Sequence, residues 1–339
     1  MVDLNIHLPQ SFFLEEERDG YLVSAEMKSL WAVQLDLLCE FDRVCRKYGI
    51  KYILDFGTLL GAVRHKGYIP WDDDIDVSML REDYDKLLSV ASQEFKEPYF
   101  LQNQLTDNGY DDYVPKLRRS DTACLMKYNI GNKCRCNLGI FIDIFVFDNI
   151  PTSDLSKEKM LSYGQKSRDI YYHVFTMANR PGFSFSINYL ARMSRYLIFK
   201  MRYGSVRKEY MRLEKLATCH DYSDYVANIT YLNPRYRPRS WYEKRVEIAF
   251  EEIKFQAPEA YDDLLKECFG DYMTPVKGGN VHTMIYYSTE RSYKDIVTDK
   301  ILYKKLCDEY ANPVSGIKEY WKFINYYFIR PIKRLIPKS

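Results

Sequence analysis

The chain has almost no charge imbalance: 49 Lys and Arg stand against 47 Asp and Glu, a formal net charge of +2. That balance argues against a dedicated nucleic-acid binder, which needs a strongly basic face to meet phosphates. No run reaches the ~18 apolar residues that a membrane span requires. The first residues, MVDLNIHLPQSFFLEEERDG, lack the basic start and continuous apolar stretch of an export signal. The expectation is therefore a cytoplasmic protein whose cysteines are reduced and mostly buried. Repeats and low-complexity tracts are also missing, which excludes solenoid and linker-like architectures. The eight cysteines include Cys124, Cys134, Cys136 and the Cys219-His220 pair, but their spacings fit no standard zinc pattern. They read as core or loop thiols.

What is present is ordinary globular material with one excess. The chain has 339 residues, 46% of them hydrophobic, enough for a core that buries about three quarters of the unfolded surface. Tyrosine occurs 31 times; its rings suit wet binding surfaces and cation recognition. Charge is also segregated. Residues 182–208 carry six Lys or Arg and no acid, and residues 316–339 carry six against Glu319. Both segments are aromatic. They read either as helices with a solvated basic face or as a surface for an anionic membrane or a lipid-linked glycan.

Apolar residues recur at three- and four-residue steps from Met27 to Tyr48, with Ser24 before them and Gly49 after, which predicts a helix. A β-like run follows over residues 51–56, then a short helix from Thr58 to Lys66. A strand-like stretch spans Asp72 to Val77, and a helix is expected over Arg81 to Glu94. Further β-like runs are Lys116–Arg119, Thr122–Met126 and Gly139–Phe147. Residues 152–218 are helical in pattern. The mixture predicts an α+β (α/β-like) fold with a mixed central sheet and added helices in the C-terminal half.

The densest chemistry lies between Gly57 and Asp76. Asp72, Asp73, Asp74 and Asp76 repel one another unless a cation holds them. In a strand Asp74 and Asp76 share a face, about 7 Å apart, and can share a hard cation such as Mg²⁺. Asp143 sits within GIFIDIF, where a lone acid is costly unless paired or metal-bound. That predicts a neighbouring strand which brings Asp143 beside Asp74 and Asp76, as third ligand or general base. Gly57 and Thr58 would open a helix whose N–H groups receive a phosphate, with Arg64, His65 and Lys66 adding positive charge. This is the layout of metal-assisted displacement at phosphorus. The duller reading is a solvated acidic turn, and His65 as a surface or packing residue.

The stretch Asp55 to Val77, DFGTLLGAVRHKGYIPWDDDIDV, resembles the signature block of LicD proteins, relatives of fukutin and fukutin-related protein. GIFIDIFVFDNIP (139–151) resembles their second block, and Ala257-Pro258, Tyr261 and Phe269-Gly270-Asp271-Tyr272-Met273 their closing region, with Phe269 in place of the usual tyrosine. The resemblance covers roughly residues 27–290, with 27–150 as the catalytic core. It leaves residues 1–26 as an extension and 291–339 as a basic aromatic tail. It implies a nucleotidyltransferase fold of the polymerase-β type with a divalent metal, Mg²⁺ or Mn²⁺. It further implies transfer of phosphocholine from CDP-choline, or of another polyol phosphate from its CDP-alcohol, to a cell-surface glycan. By position, Asp74 and Asp76 correspond to the metal-binding acids, Asp72 to the acid before them, and Asp143 to the third carboxylate. Gly57 and Thr58 match the phosphate-side turn. Lys116 and Arg118, two apart on one strand face, are candidates for the diphosphate. Trp71, Tyr68 and Tyr242 are candidate walls for a quaternary ammonium.

Overall fold

A computed structural model describes residues 1–110, 112, 114–126, 136–150, 158, 194, 197, 201, 208, 211, 215, 218, 221–228, 236–276 and 284–310. The predicted helical region 152–218 falls almost wholly outside these residues, as do the tail 316–339, Cys134 and the Cys219-His220 pair.

Helix α1, Ala25–Tyr48, begins where Ser24 Oγ accepts the Met27 N–H (3.1 Å) and ends at Gly49, whose φ of 63° closes the last turn. A left-handed residue there suits glycine, which has no Cβ to clash. Every residue from Leu30 to Leu38 is buried, so the middle of α1 is covered on all sides.

Among the described residues the main sheet has seven strands and mixes parallel with antiparallel pairs. Before it come a small hairpin, β1 (Glu16–Arg18) and β2 (Tyr21–Val23). Then follow β3 (Ile53–Leu54), α2 (Phe56–Arg64), β4 (Asp76–Leu80), α3 (Arg81–Glu94), β5 (Tyr99–Gln102), β6 (Lys116–Arg119), β7 (Ala123–Met126) and β8 (Ile140–Asn149). Strand β8 is the axis. It pairs parallel with β4 on one side and antiparallel with β6 on the other. Its sequence, IFIDIFVFDN, is mostly apolar and mostly buried, as expected for a strand covered on both faces. Strand β9 (Tyr225–Ala227) pairs antiparallel with the end of β8 and carries β10 (Arg237–Pro238) at the edge. A second hairpin, β11 (Arg245–Phe250) and β12 (Ile253–Pro258), packs near β3, and β13 (Met284–Ser288) pairs with β7.

The predicted run over 51–56 is shorter than expected. Only Ile53 and Leu54 pair, because the Asp55 carboxylate accepts the Phe56 N–H (2.8 Å) and turns the chain straight into α2. An aspartate N-cap outcompetes one more strand residue. Residues 1–23 lie against the body: Leu8, Phe12 and Val23 are buried, the Asn5 N–H donates to Asp36 Oδ1 (2.6 Å), and Arg18 forks onto Glu251 (2.6 and 2.8 Å). Among the described residues, no helix is long and apolar enough to cross a membrane.

Candidate active site

Register builds the site. Asp143 on β8 stands opposite Asp76 on β4 and opposite Lys116 on β6. Residues paired in register project to the same sheet face, so Asp76, Asp143 and Lys116 form one row across three strands. Ile75 and Val77 are fully buried, in keeping with the predicted alternation. Asp74 differs from expectation in one respect: it precedes β4 rather than lying in it. Its carboxylate nevertheless reaches the row. Oxygens of Asp74, Asp76 and Asp143 all lie within 4.8 Å of one another, and a second such group joins Asp72, Asp73 and Asp74. Asp74 belongs to both groups.

The segment before β4 is held from beneath by α1. Trp31 Nε1 donates to the Asp72 carbonyl (2.9 Å) and Gln34 Nε2 to the Asp73 carbonyl (2.7 Å). Tyr68 stacks on Trp31, rings parallel and 4.4 Å apart, and its hydroxyl donates to Trp31 O and Gln34 Oε1. Sequence reasoning missed Gln34, although a glutamine among Leu30, Val33, Leu35, Leu37 and Leu38 on a buried helix was the available signal. Gln34→Leu leaves a buried carbonyl without its donor, a cost of about 1–3 kcal/mol. It should also loosen the acidic segment; denaturant unfolding and a turnover assay check both, and an unchanged denaturation midpoint would contradict the contact.

The first turn of α2 abuts the acids. Thr58 Oγ1 accepts the Asp76 N–H (2.8 Å), and a Cβ at Gly57 would stand 2.7 Å from Asp72 Oδ2. Glycine at 57 thus permits the close approach of helix and carboxylate. Lys116 Nζ contacts Asp143 Oδ1 and lies 3.4 Å from Asp112. Arg118 shares its strand face, and both cations sit over the Phe141 ring, at 4.2 and 4.7 Å. Arg118 Nη1 also donates to the Gly139 carbonyl (2.5 Å) and its Nε to Gln102.

Other candidates make their contacts elsewhere. Arg64 is at the opposite end of α2, donating to Tyr272 O (2.6 Å) and to His65 Nε2. His65 meets Asp19 of the β1–β2 hairpin at 2.6 Å. Trp71, half-buried, faces Tyr21 of that hairpin edge-on at 5.9 Å. Tyr68 and Tyr242 are core residues, about 1% and 2% exposed, so they line no open wall. Burial pushes the Cys124 thiol up to about 12, and cysteine joins neither carboxylate group.

Electrostatics favour a cation. Burial, followed by the charges of Asp72, Asp143 and Asp73, holds the Asp74 carboxyl well above the ordinary range. Burial likewise raises Asp143, and the Lys116 ammonium pulls it back. Hard carboxylate oxygens without thiolate or imidazole suit Mg²⁺ or Mn²⁺ better than zinc.

Known proteins are similar to the chain over the region that holds the site. Residues 49–189 match the family described as LicD/FKTN/FKRP, nucleotidyltransferase domain. The lipopolysaccharide cholinephosphotransferase LicD of Haemophilus influenzae is 29% identical over 252 residues, which cover 71% of this chain and 89% of that protein. An uncharacterized protein of Rickettsia prowazekii is 39% identical over 79 residues, 23% of this chain and 29% of its own length. The matched region, residues 49–189, contains all the acids of the site, and over it the chain is similar to the LicD family.

Proposed function

We propose that the chain transfers phosphocholine from CDP-choline to a hydroxyl of a cell-surface glycan, such as a lipopolysaccharide or teichoic acid precursor, releasing CMP. The observation that carries this reading is the convergence of Asp74, Asp76 and Asp143 from separate stretches, in a chain whose relative is a lipopolysaccharide cholinephosphotransferase. Asp74, Asp76 and Asp143, with Asp72 beside them, would hold Mg²⁺ or Mn²⁺, which when bound neutralises a diphosphate and acidifies an attacking hydroxyl.

The chain's own residues do the rest. The N–H groups of the first turn of α2, at Gly57 and Thr58, receive a phosphate oxygen at the positive end of the helix. Thr58 fixes the Asp76 backbone while doing so. Lys116 counters the effect of burial on the Asp143 carboxyl and offers positive charge to the diphosphate. Arg118, packed over Phe141, sets the strand face on which Lys116 lies. Trp71, next to Asp72 and partly exposed, supplies an aromatic face for the choline head. Arg64 orders the far end of α2. The acceptor fits a lipid-linked glycan met at the inner membrane surface.

A second reading, transfer of ribitol or glycerol phosphate from the corresponding CDP-alcohol, uses the same carboxylates. CMP release measured over CDP-choline, CDP-ribitol and CDP-glycerol, with and without Mg²⁺, tests both. We expect metal-dependent release that is fastest with CDP-choline. Release of the free phospho-alcohol instead of CMP, or turnover indifferent to chelator, would overturn the transferase reading.

A further inference from the structure

The first turn of α2 is held by Asp55 and, through it, by Arg237, which lies outside the family-matched region. Asp55 is fully buried and caps α2 through the Phe56 N–H. Its Oδ2 accepts from Ser78 Oγ of β4 (2.5 Å) and from Arg237 Nη1 of β10 (2.6 Å), and its own N–H donates to the Asp76 carbonyl (3.1 Å). Asp55 therefore ties together the start of α2, the strand that carries Asp76, and the second half of the chain. Arg237 is about 2% exposed. Its guanidinium also donates to the Tyr242 hydroxyl (3.0 Å) and to Cys268 Sγ (3.2 Å), and it lies over the rings of Phe56 and Phe147 at 5.1 and 5.0 Å.

Phe56 has a φ of 45°, a left-handed conformation that a residue with a Cβ adopts only when its surroundings enforce it. Asp55 on one side and the Arg237 face on the other supply that enforcement. We propose that Arg237 is a positioning residue for the active site. Acting through Asp55, it holds the strained Asp55-Phe56-Gly57 turn, and so sets where Asp76 and the first turn of α2 stand relative to each other.

The inference rests on the metal-dependent transfer proposed above for its effect on turnover, but not for its effect on the turn. Arg237→Lys keeps the charge but loses the planar fork whose two nitrogens reach Asp55, Tyr242 and Cys268 and the flat face that lies on Phe56. In metal-free full-length protein, Arg237→Lys should speed amide hydrogen exchange at residues 54–60 and 75–79 by about tenfold, with α3 unchanged. Mn²⁺ affinity, read by electron paramagnetic resonance, and kcat should each fall about tenfold, the donor KM staying within about twofold.

Asp55→Asn, which retains the helix cap, is the second variant and should give the same local signature. The double variant should do no worse than the weaker single, since both act through one contact. Unchanged exchange at 54–60, acceleration spread evenly over the chain, or additive losses would overturn the assignment. Wild-type protein that takes up no Mn²⁺, with the local exchange signature intact, would refute the metal reading alone and leave the positioning role standing.

Discussion

Asp74→Asn is expected to lower CMP release from CDP-choline by about 10³-fold, the scale seen when one group that meets developing charge is removed. Asp74 is the one acid that belongs to both carboxylate groups, Asp72–Asp73–Asp74 and Asp74–Asp76–Asp143. Its loss disables either grouping, whichever of them takes the cation. Asparagine has the same shape, so the fold should persist. It should also gain: removing one charge from a cluster of buried like charges relieves repulsion, so metal-free protein should melt a few degrees higher. Lost turnover with raised metal-free stability is a pairing that general damage to the fold cannot produce. Turnover within about twofold of wild type would mean that Asp74 holds nothing the reaction needs. Asp72, half-buried at the edge of the cluster, should give a smaller loss when replaced by Asn.

Gly61→Ala is expected to cost about 3–5 kcal/mol, at the upper end of single substitutions. A Cβ at 61 would overlap the Gly67 carbonyl oxygen and stand 3.2 Å from the Ile69 N–H. Both obstacles are main chain, so no rotamer change relieves them. The turn is further pinned because the Gly67 N–H donates to Gly61 O (3.4 Å) and the Tyr68 N–H to Glu251 Oε1 (3.0 Å). Helix α2 would have to withdraw from the turn that leads into Asp72. Urea denaturation should show the lower midpoint with an unchanged slope, and a variant as stable as wild type would refute the close approach.

Both results turn on how the chain reaches Asp72 to Asp76, which was only partly legible beforehand. The caps of α1 were readable, since Ser24 accepts an N–H with its side chain and Gly49 takes a left-handed conformation at no steric cost. So was α3, found at Arg81–Glu94 as expected. The placement of Asp143 beside Asp74 and Asp76 also followed, because a lone carboxylate inside GIFIDIF needs a partner. The period-two argument worked for the wrong reason at one residue: Asp74 joins Asp76 from an extended approach to the strand, not from within it. Aromatic content was a poor guide to location. Tyr68 and Tyr242 share the composition of a binding wall but carry hydroxyls that find partners in the core, and only packing distinguishes the two.

By itself the sequence singled out the residues proposed to carry the chemistry, because local rules act over a few positions: alternation, caps, and the cost of an isolated buried charge. It determined the family resemblance by the same local stretch. Tertiary structure alone decided the row Asp76–Asp143–Lys116, the support of Asp72 and Asp73 by Trp31 and Gln34, and the Arg237–Asp55 pair, whose members are 182 residues apart. Those depend on strand register and on the docking of distant segments. Both are set by the burial of the whole core rather than by any neighbour along the chain.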